Sequence, residues 1–209
     1  DLAIAAGILA ASGRMKVEIV KDYLIVGELA LDGNIRKIKG LLPMVLQAAA
    51  ADIKGVIFPR ANYSEITFVE GIKKIGVTDI KEMVDFFNEN KVPRRQQQPR
   101  SREQKKIYNI DFSEIKGQEE AKRALEVAAA GFHNILMLGP PGSGKTMLAR
   151  RIRTILPPLT ENESLELTKI YSVMGLQAEA SGLIKKRPFR SPHHNLTAPG
   201  LIGGWKIAE

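Results

Sequence analysis

The chain has 209 residues, 44% of them apolar and 26% charged, with a net charge of +8, which is ordinary for one large globular domain or two small ones. It contains no cysteine, which excludes disulfides, thiolate metal sites and a cysteine nucleophile, and fits a reducing, cytoplasmic setting. No apolar run approaches the length of a bilayer span, so no membrane partner is expected.

Residues Asp1 to Ala11 are apolar enough to imitate a signal peptide, but they lack the basic leader such a signal needs. With no initiator methionine, Asp1 is not expected to be a native start. Asp22 to Leu31 reads as a strand, Asp32-Gly33-Asn34 as a tight turn, and Ile35 to Ile38 as a returning strand. Leu41 to Ala51 is helical by composition, and Gly55-Val56-Ile57-Phe58-Pro59 is a short buried strand closed by proline. The spacing of Ile80, Met83, Val84 and Phe87 predicts an amphipathic helix reaching Asn88. Residues 1–87 therefore read as an α+β domain with a small sheet, and their 11 basic and 11 acidic side chains cancel.

Three stretches of this block, Gly27 to Arg36, Lys39-Gly40-Leu41-Leu42 and Gly55 to Asn62, resemble the proteolytic domain of the Lon proteases. The resemblance implies the Lon-like fold (ribosomal protein S5 domain 2-like) and, in that family, a serine nucleophile with a lysine base. At the place of that lysine this chain has Leu42, which cannot accept a proton. Lys39, three residues earlier, does not substitute from the other side of the turn, and the serine position falls before Asp1. The resemblance thus implies a degenerate, N-terminally truncated Lon-like domain, and an ATP-dependent protease is disfavoured.

Residues 88–106 carry seven basic side chains against Glu89 and Glu103, with two prolines, a glutamine run and almost nothing apolar. This is the composition of a flexible basic linker and the natural domain boundary. Such a segment either contacts nucleic acid through counterion release or merely tethers and solubilises, and it holds no aromatic residue to stack a base.

Residues 107–209 open with Asp111-Phe112-Ser113-Glu114-Ile115-Lys116-Gly117-Gln118. This is similar to the adenine-side box of the AAA+ ATPases, which implies that Ile115, Gly117 and Gln118 lie against a nucleotide base. An alanine-rich helix is expected from Glu119 to Ala130, and Asn134-Ile135-Leu136-Met137-Leu138 is strand-like. There follows Gly139-Pro140-Pro141-Gly142-Ser143-Gly144-Lys145-Thr146, of the pattern G-x-x-x-x-G-K-[ST], and a helical stretch beginning at Met147. Strand, glycine turn and helix start would gather backbone N–H groups and the positive end of a helix dipole around one phosphate. In this reading Lys145 reaches the β/γ-oxygens of ATP and the Thr146 hydroxyl ligates Mg²⁺. The alternative is a glycine-rich turn that happens to precede a lysine.

Lys145 to Arg151, Ile155-Leu156-Pro157-Pro158-Leu159 and Arg187-Pro188-Phe189-Arg190-Ser191-Pro192-His193-His194 resemble the magnesium-chelatase-like ATPases of the YifB/ComM type. There a Lon-like domain precedes a chelatase-type AAA+ module. The resemblance implies a homo-oligomeric ring and remodelling of DNA in recombination or natural transformation. A metal-chelatase subunit, or a nucleotide-binding module without turnover, are the alternatives.

The pair His193-His194 invites a metal or proton-transfer reading, but no carboxylate or cysteine lies near it in sequence to complete a metal site, and a structural place in the loop after Pro188 is favoured. Lys185, Lys186, Arg187 and Arg190 either touch a threaded polymer or form an ordinary solvated hairpin. Trp205 reads as core. Thr160 and Glu163 form a helix-start pattern. No apolar strand ending in Asp-Glu follows Thr146, so the water-activating carboxylate, the sensors and the arginine finger are expected beyond Glu209. On this reading the chain is a piece of a longer ATP-hydrolysing protein, and by itself it binds Mg-ATP weakly and does not turn it over.

Overall fold

A computed structural model of the chain describes residues 1–93, 108–176, 182–193, 195 and 197. In chain order its elements are α1 (Leu2–Ala11), α2 (Val17–Val20), β1 (Tyr23–Ile25), β2 (Glu28–Leu29), β3 (Ile35–Arg36), α3 (Leu41–Ala50), β4 (Gly55–Pro59), β5 (Lys73–Val77), α4 (Ile80–Glu89), α5 (Glu119–Gly131), α6 (Lys145–Arg151) and α7 (Glu161–Met174). Most of the basic segment, with His194 and Trp205, lies outside the described residues. The chain divides into two compact units, Asp1–Gln104 with Thr160–Ile184, and Lys105–Leu159 with Lys185–Glu209.

The first unit is built on a parallel sheet of order β1-β4-β5. Every residue of β4 is buried, as expected for a central strand covered on both faces. Ile57 faces a cluster with Leu2, Ala6, Ile75, Met83, Phe86 and Phe87, whereas Val56 and Phe58 face one with Leu41, Leu42, Val45 and Ile66. The period-2 alternation of the strand thus feeds two apolar layers, one under α1 and α4 and one under α3.

The long strand expected at Asp22–Leu31 is instead two. It divides at Val26-Gly27, with β1 joining the parallel sheet and β2 pairing antiparallel with β3. Gly27 is where α1 crosses, and a Cβ there would stand 2.8 Å from Leu2 Cδ2. The expected turn is present, as Asp32 accepts hydrogen bonds from the backbone and side-chain amides of Asn34. These hold the Asp32 carboxyl below its ordinary range.

Gly55 occupies the tightest place in the sheet. A Cβ there would lie 2.5 Å from Tyr23 Cε1 and 2.9 Å from the Lys73 carbonyl oxygen. The Tyr23 ring is already set edge-on to Phe86 and Phe87 and has little room to move. Gly55→Ala is therefore expected to destabilise this unit by about 1–3 kcal/mol, read by chemical denaturation.

The same unit holds a buried polar cluster. Glu65, in the 3-10 turn Arg60–Glu65, is 7% exposed and accepts hydrogen bonds from Leu42 N–H at 3.2 Å, from Asn62 Nδ2 at 2.9 Å and from the Ser172 hydroxyl. Asn62 exchanges two further bonds with the Ile38 backbone. Ser172 lies on α7, which starts with the expected capping box at Thr160 and Glu163. The sequence reading groups α7 with the C-terminal block. In the structure its buried stripe Ser164, Thr168 and Ser172 belongs to the first unit, held there by Glu65 and by Gly40 N–H donating to the Ser172 carbonyl.

Candidate nucleotide site

The second unit has a small core of Phe112, Ile115, Leu125 and Leu148, with Met137, Ile152 and Ile155 against it. Asp111 accepts from Ser113 to start a short 3-10 turn, and Phe112 N–H donates to Thr154 Oγ1. Arg151 fastens the turn from the other side, donating to the Asp111 carbonyl and pairing with Glu114 at 2.8 Å. That guanidinium, with help from the Asp111 backbone, holds the Glu114 carboxyl below its ordinary 4.5. A carboxyl whose value is lowered on folding stabilises above its unfolded value, and the contribution is lost as pH falls through the lowered one. We expect Glu114→Gln to remove one acid-side step from the thermal stability of this unit, and added salt to do so in part, since the pair is exposed.

Residues Asn134–Leu138 do not form the expected strand. They carry no regular secondary structure, and among the described residues no strand pairs with them; a strand is defined by its ladder. Met137 packs on the core, while Leu136 and Leu138 are 81% and 85% exposed.

The glycine-rich turn follows. Gly142 and Gly144 have φ of +81° and +85°, in the left-handed region where a side chain is strained, and α6 begins at Lys145. The Lys145 ammonium folds over the turn and donates to the carbonyls of Gly139 and Pro140, both at 2.7 Å, and to Ser143 Oγ at 3.0 Å. Thr146 and Met147 are exposed on the first turn of α6, and Pro140 and Pro141 are exposed ahead of it. A cleft of about 360 Å³ opens beside the turn, lined by Ala121 and Ala124 of α5, residues 135–138 and Lys145. That volume is in the range of small-ligand sites.

Of the residues expected beside a base, Gln118 reaches the turn with its side chain, while the Ile115 side chain lies in the core. Gly117 and Gln118 are both left-handed, with φ of +66° and +60°. They turn the chain so that Gln118 Nε2 donates to the Ser143 carbonyl at 2.9 Å. The Ile115 side chain is 4% exposed inside the core. The contact of Gln118 was not legible in the sequence, because it spans 25 residues and no spacing rule encodes it.

The segment after α7 is tied to this unit by Arg187, whose N–H donates to the Tyr108 hydroxyl and whose Nε donates to the Pro157 carbonyl. The Tyr108 ring also lies under the Arg153 guanidinium at 5.0 Å. Lys185, Lys186 and Arg190 are exposed. His193 Nδ1 accepts from Asn195 N–H, and among the described residues no group of three or more metal-ligating side chains occurs. No helix among them is long and apolar enough to cross a membrane.

At the place where the Lon resemblance puts a base, Leu42 is fully buried on α3.

A family model described as magnesium chelatase, subunit ChlI, matches residues 111–209, and one described as subunit ChlI of Mg-chelatase matches residues 1–62. Competence protein ComM of Haemophilus influenzae is 38% identical over 217 aligned positions, covering all of this chain and 41% of that protein. An uncharacterized protein, YifB, of Escherichia coli is 37% identical over 99% of this chain and 40% of its own length. An archaeal Lon protease of Methanocaldococcus jannaschii is 35% identical over 85 residues, covering 40% of this chain and 13% of that protein. The chain thus spans about two fifths of the length of its full-coverage relatives.

Proposed function

Because the chain belongs to the YifB/ComM family of magnesium-chelatase-like proteins, we propose that it is part of an AAA+ ATPase that binds Mg-ATP at Gly139–Thr146 and remodels DNA as a homo-oligomeric ring in the cytoplasm. The observation that carries the nucleotide reading is the Lys145 ammonium gathered by three oxygens of a turn with two left-handed glycines. The residues fit a triphosphate with its magnesium. A Cβ at Gly142 would meet nothing within 4 Å, so the turn leaves open space, and Thr146 is an exposed residue on the first turn of α6. Lys145 would exchange the turn's neutral carbonyls for anionic β- and γ-phosphate oxygens, a stronger set of acceptors. Thr146 would ligate the ion, which supplies charge neutralisation on the phosphates. Within the 209 residues no apolar strand ending in Asp-Glu follows Thr146, so binding without turnover is the behaviour proposed for this chain alone.

The first unit is proposed to be a Lon-like domain without peptidase chemistry. The similarity of part of the chain to an archaeal Lon protease supports a Lon relationship, and the buried aliphatic Leu42 supports the loss of the base. The domain plan proposed is that of a Lon-like block over 1–87, a linker over 88–106 and an AAA+ block from 107, with α7 packed into the first unit.

The second reading, a subunit of a metal chelatase, is favoured by the descriptions of the two family models. Hydrolysis by the full-length protein separates the two. A DNA remodeller shows ATPase stimulated by branched DNA and weakened by salt. No stimulation by any DNA would remove the DNA reading.

A further inference from the structure

We propose that Gln118 is a positioning residue for the phosphate-binding turn, acting through the Ser143–Gly144 peptide rather than on a nucleotide base. The inference rests on the nucleotide reading above for its ligand but not for its geometry. Gln118 pays a backbone cost to stand where it does, since its φ of +60° lies in the left-handed region that glycine tolerates and glutamine does not favour. Gly117, at +66°, completes the corner. The result of that corner is one contact, the side-chain amide donating to the Ser143 carbonyl at 2.9 Å.

The contact matters because a trans peptide is planar. Fixing the Ser143 carbonyl fixes the Gly144 N–H on the opposite side of the same plane. Ser143 and Gly144 sit inside the motif, and a peptide between two residues next to a glycine at φ +85° can rotate unless something holds it. The Lys145 ammonium holds the Ser143 hydroxyl but not its carbonyl. Gln118 thus supplies, from the N-cap position ahead of α5, the hold on this plane.

Three variants test it. Gln118→Gly removes the side chain and relieves the left-handed strain, so the fold is kept. Gln118→Glu keeps size and shape but sets a carboxylate against a carbonyl, so it isolates the donated hydrogen bond. Gln118→Asn is shorter by one methylene and does not reach. Amide hydrogen exchange over residues 139–148 of the chain without nucleotide is the first readout. Loss of one such bond is expected to speed exchange there about threefold to tenfold in all three variants. Unchanged exchange in Gln118→Glu and Gln118→Gly would overturn the proposal, whether or not the chain binds ATP.

The second readout is affinity for Mg-ATP, Mg-GTP and inorganic tripolyphosphate. A positioning role weakens all three by the same factor, about threefold to tenfold. Weakening of Mg-ATP with tripolyphosphate untouched would show a base contact and overturn the proposal. Should the unaltered chain bind none of the three, the nucleotide reading fails, and the exchange result still decides the role of Gln118.

Discussion

Glu65→Ala is expected to destabilise the first unit by roughly 3–5 kcal/mol, measured as the shift in its denaturation midpoint at unchanged slope. Glu65 receives Leu42 N–H, Asn62 Nδ2 and the Ser172 hydroxyl, and the alanine leaves three donors facing a dry space. Each unmet buried donor costs about 1–3 kcal/mol, and partial relaxation keeps the total below the sum. The loss is expected to be local in character as well. The Ser172 bond ties α7 to the 3-10 turn that carries Glu65, so amide exchange in α7 should accelerate more than in β4, which is held by ladders on both sides. Glu65→Gln keeps one oxygen for Leu42 and Ser172 but turns an NH₂ toward Asn62, so a smaller loss is expected, about 1–2 kcal/mol. A Glu65→Ala chain as stable as the parent would contradict this account of how α7 is held.

Lys145→Ala is expected to weaken Mg-ATP binding about 10- to 100-fold by titration calorimetry, because charge-assisted hydrogen bonds are each worth about 1.5–3 kcal/mol. Its effect on folding should be small. The ammonium is partly exposed and bonds only to oxygens of its own turn, so removing it strands no deeply buried group. Lys145→Arg should not restore binding in full, since the planar guanidinium is bulkier and reaches the phosphates at a different angle. Equal affinity of the Lys145→Ala and parent chains would mean that any nucleotide binds elsewhere.

Where local chemistry decides, the sequence was readable. The apolar period of Ile80, Met83 and Phe87 gave α4, and Asp79 caps it by accepting from Glu82 N–H. The run Gly55–Pro59 gave β4, and Thr160 with Glu163 gave the start of α7. The spacing of Gly139, Gly144 and Lys145 located the turn and the helix it opens. Long-range decisions were not readable. β5 escaped because Lys73, Lys74 and Gly76 interrupt its apolar pattern, and it is a strand by virtue of pairing with β4. The break between β1 and β2 depends on α1 crossing at Gly27, and α1 itself reads as apolar on every side. Glu65 carries no signal at all. It sits in a polar stretch where an exposed acid is the ordinary expectation, and only the fold brings Leu42, Asn62 and Ser172 to it. Asn134–Leu138 shows the converse, a strand-like sequence with no strand partner among the described residues, since a ladder needs a neighbour as well as a pattern.

The nucleotide reading is tested most directly by amide exchange of this chain with and without Mg-ATP. At Mg-ATP just sufficient to saturate the parent chain, the account predicts slowed exchange confined to Gly139–Met147 and to the segment around Gly117-Gln118, and most of that protection lost in Lys145→Ala at the same concentration. Protection absent from the turn at saturating Mg-ATP, or present there unchanged in Lys145→Ala, would contradict it.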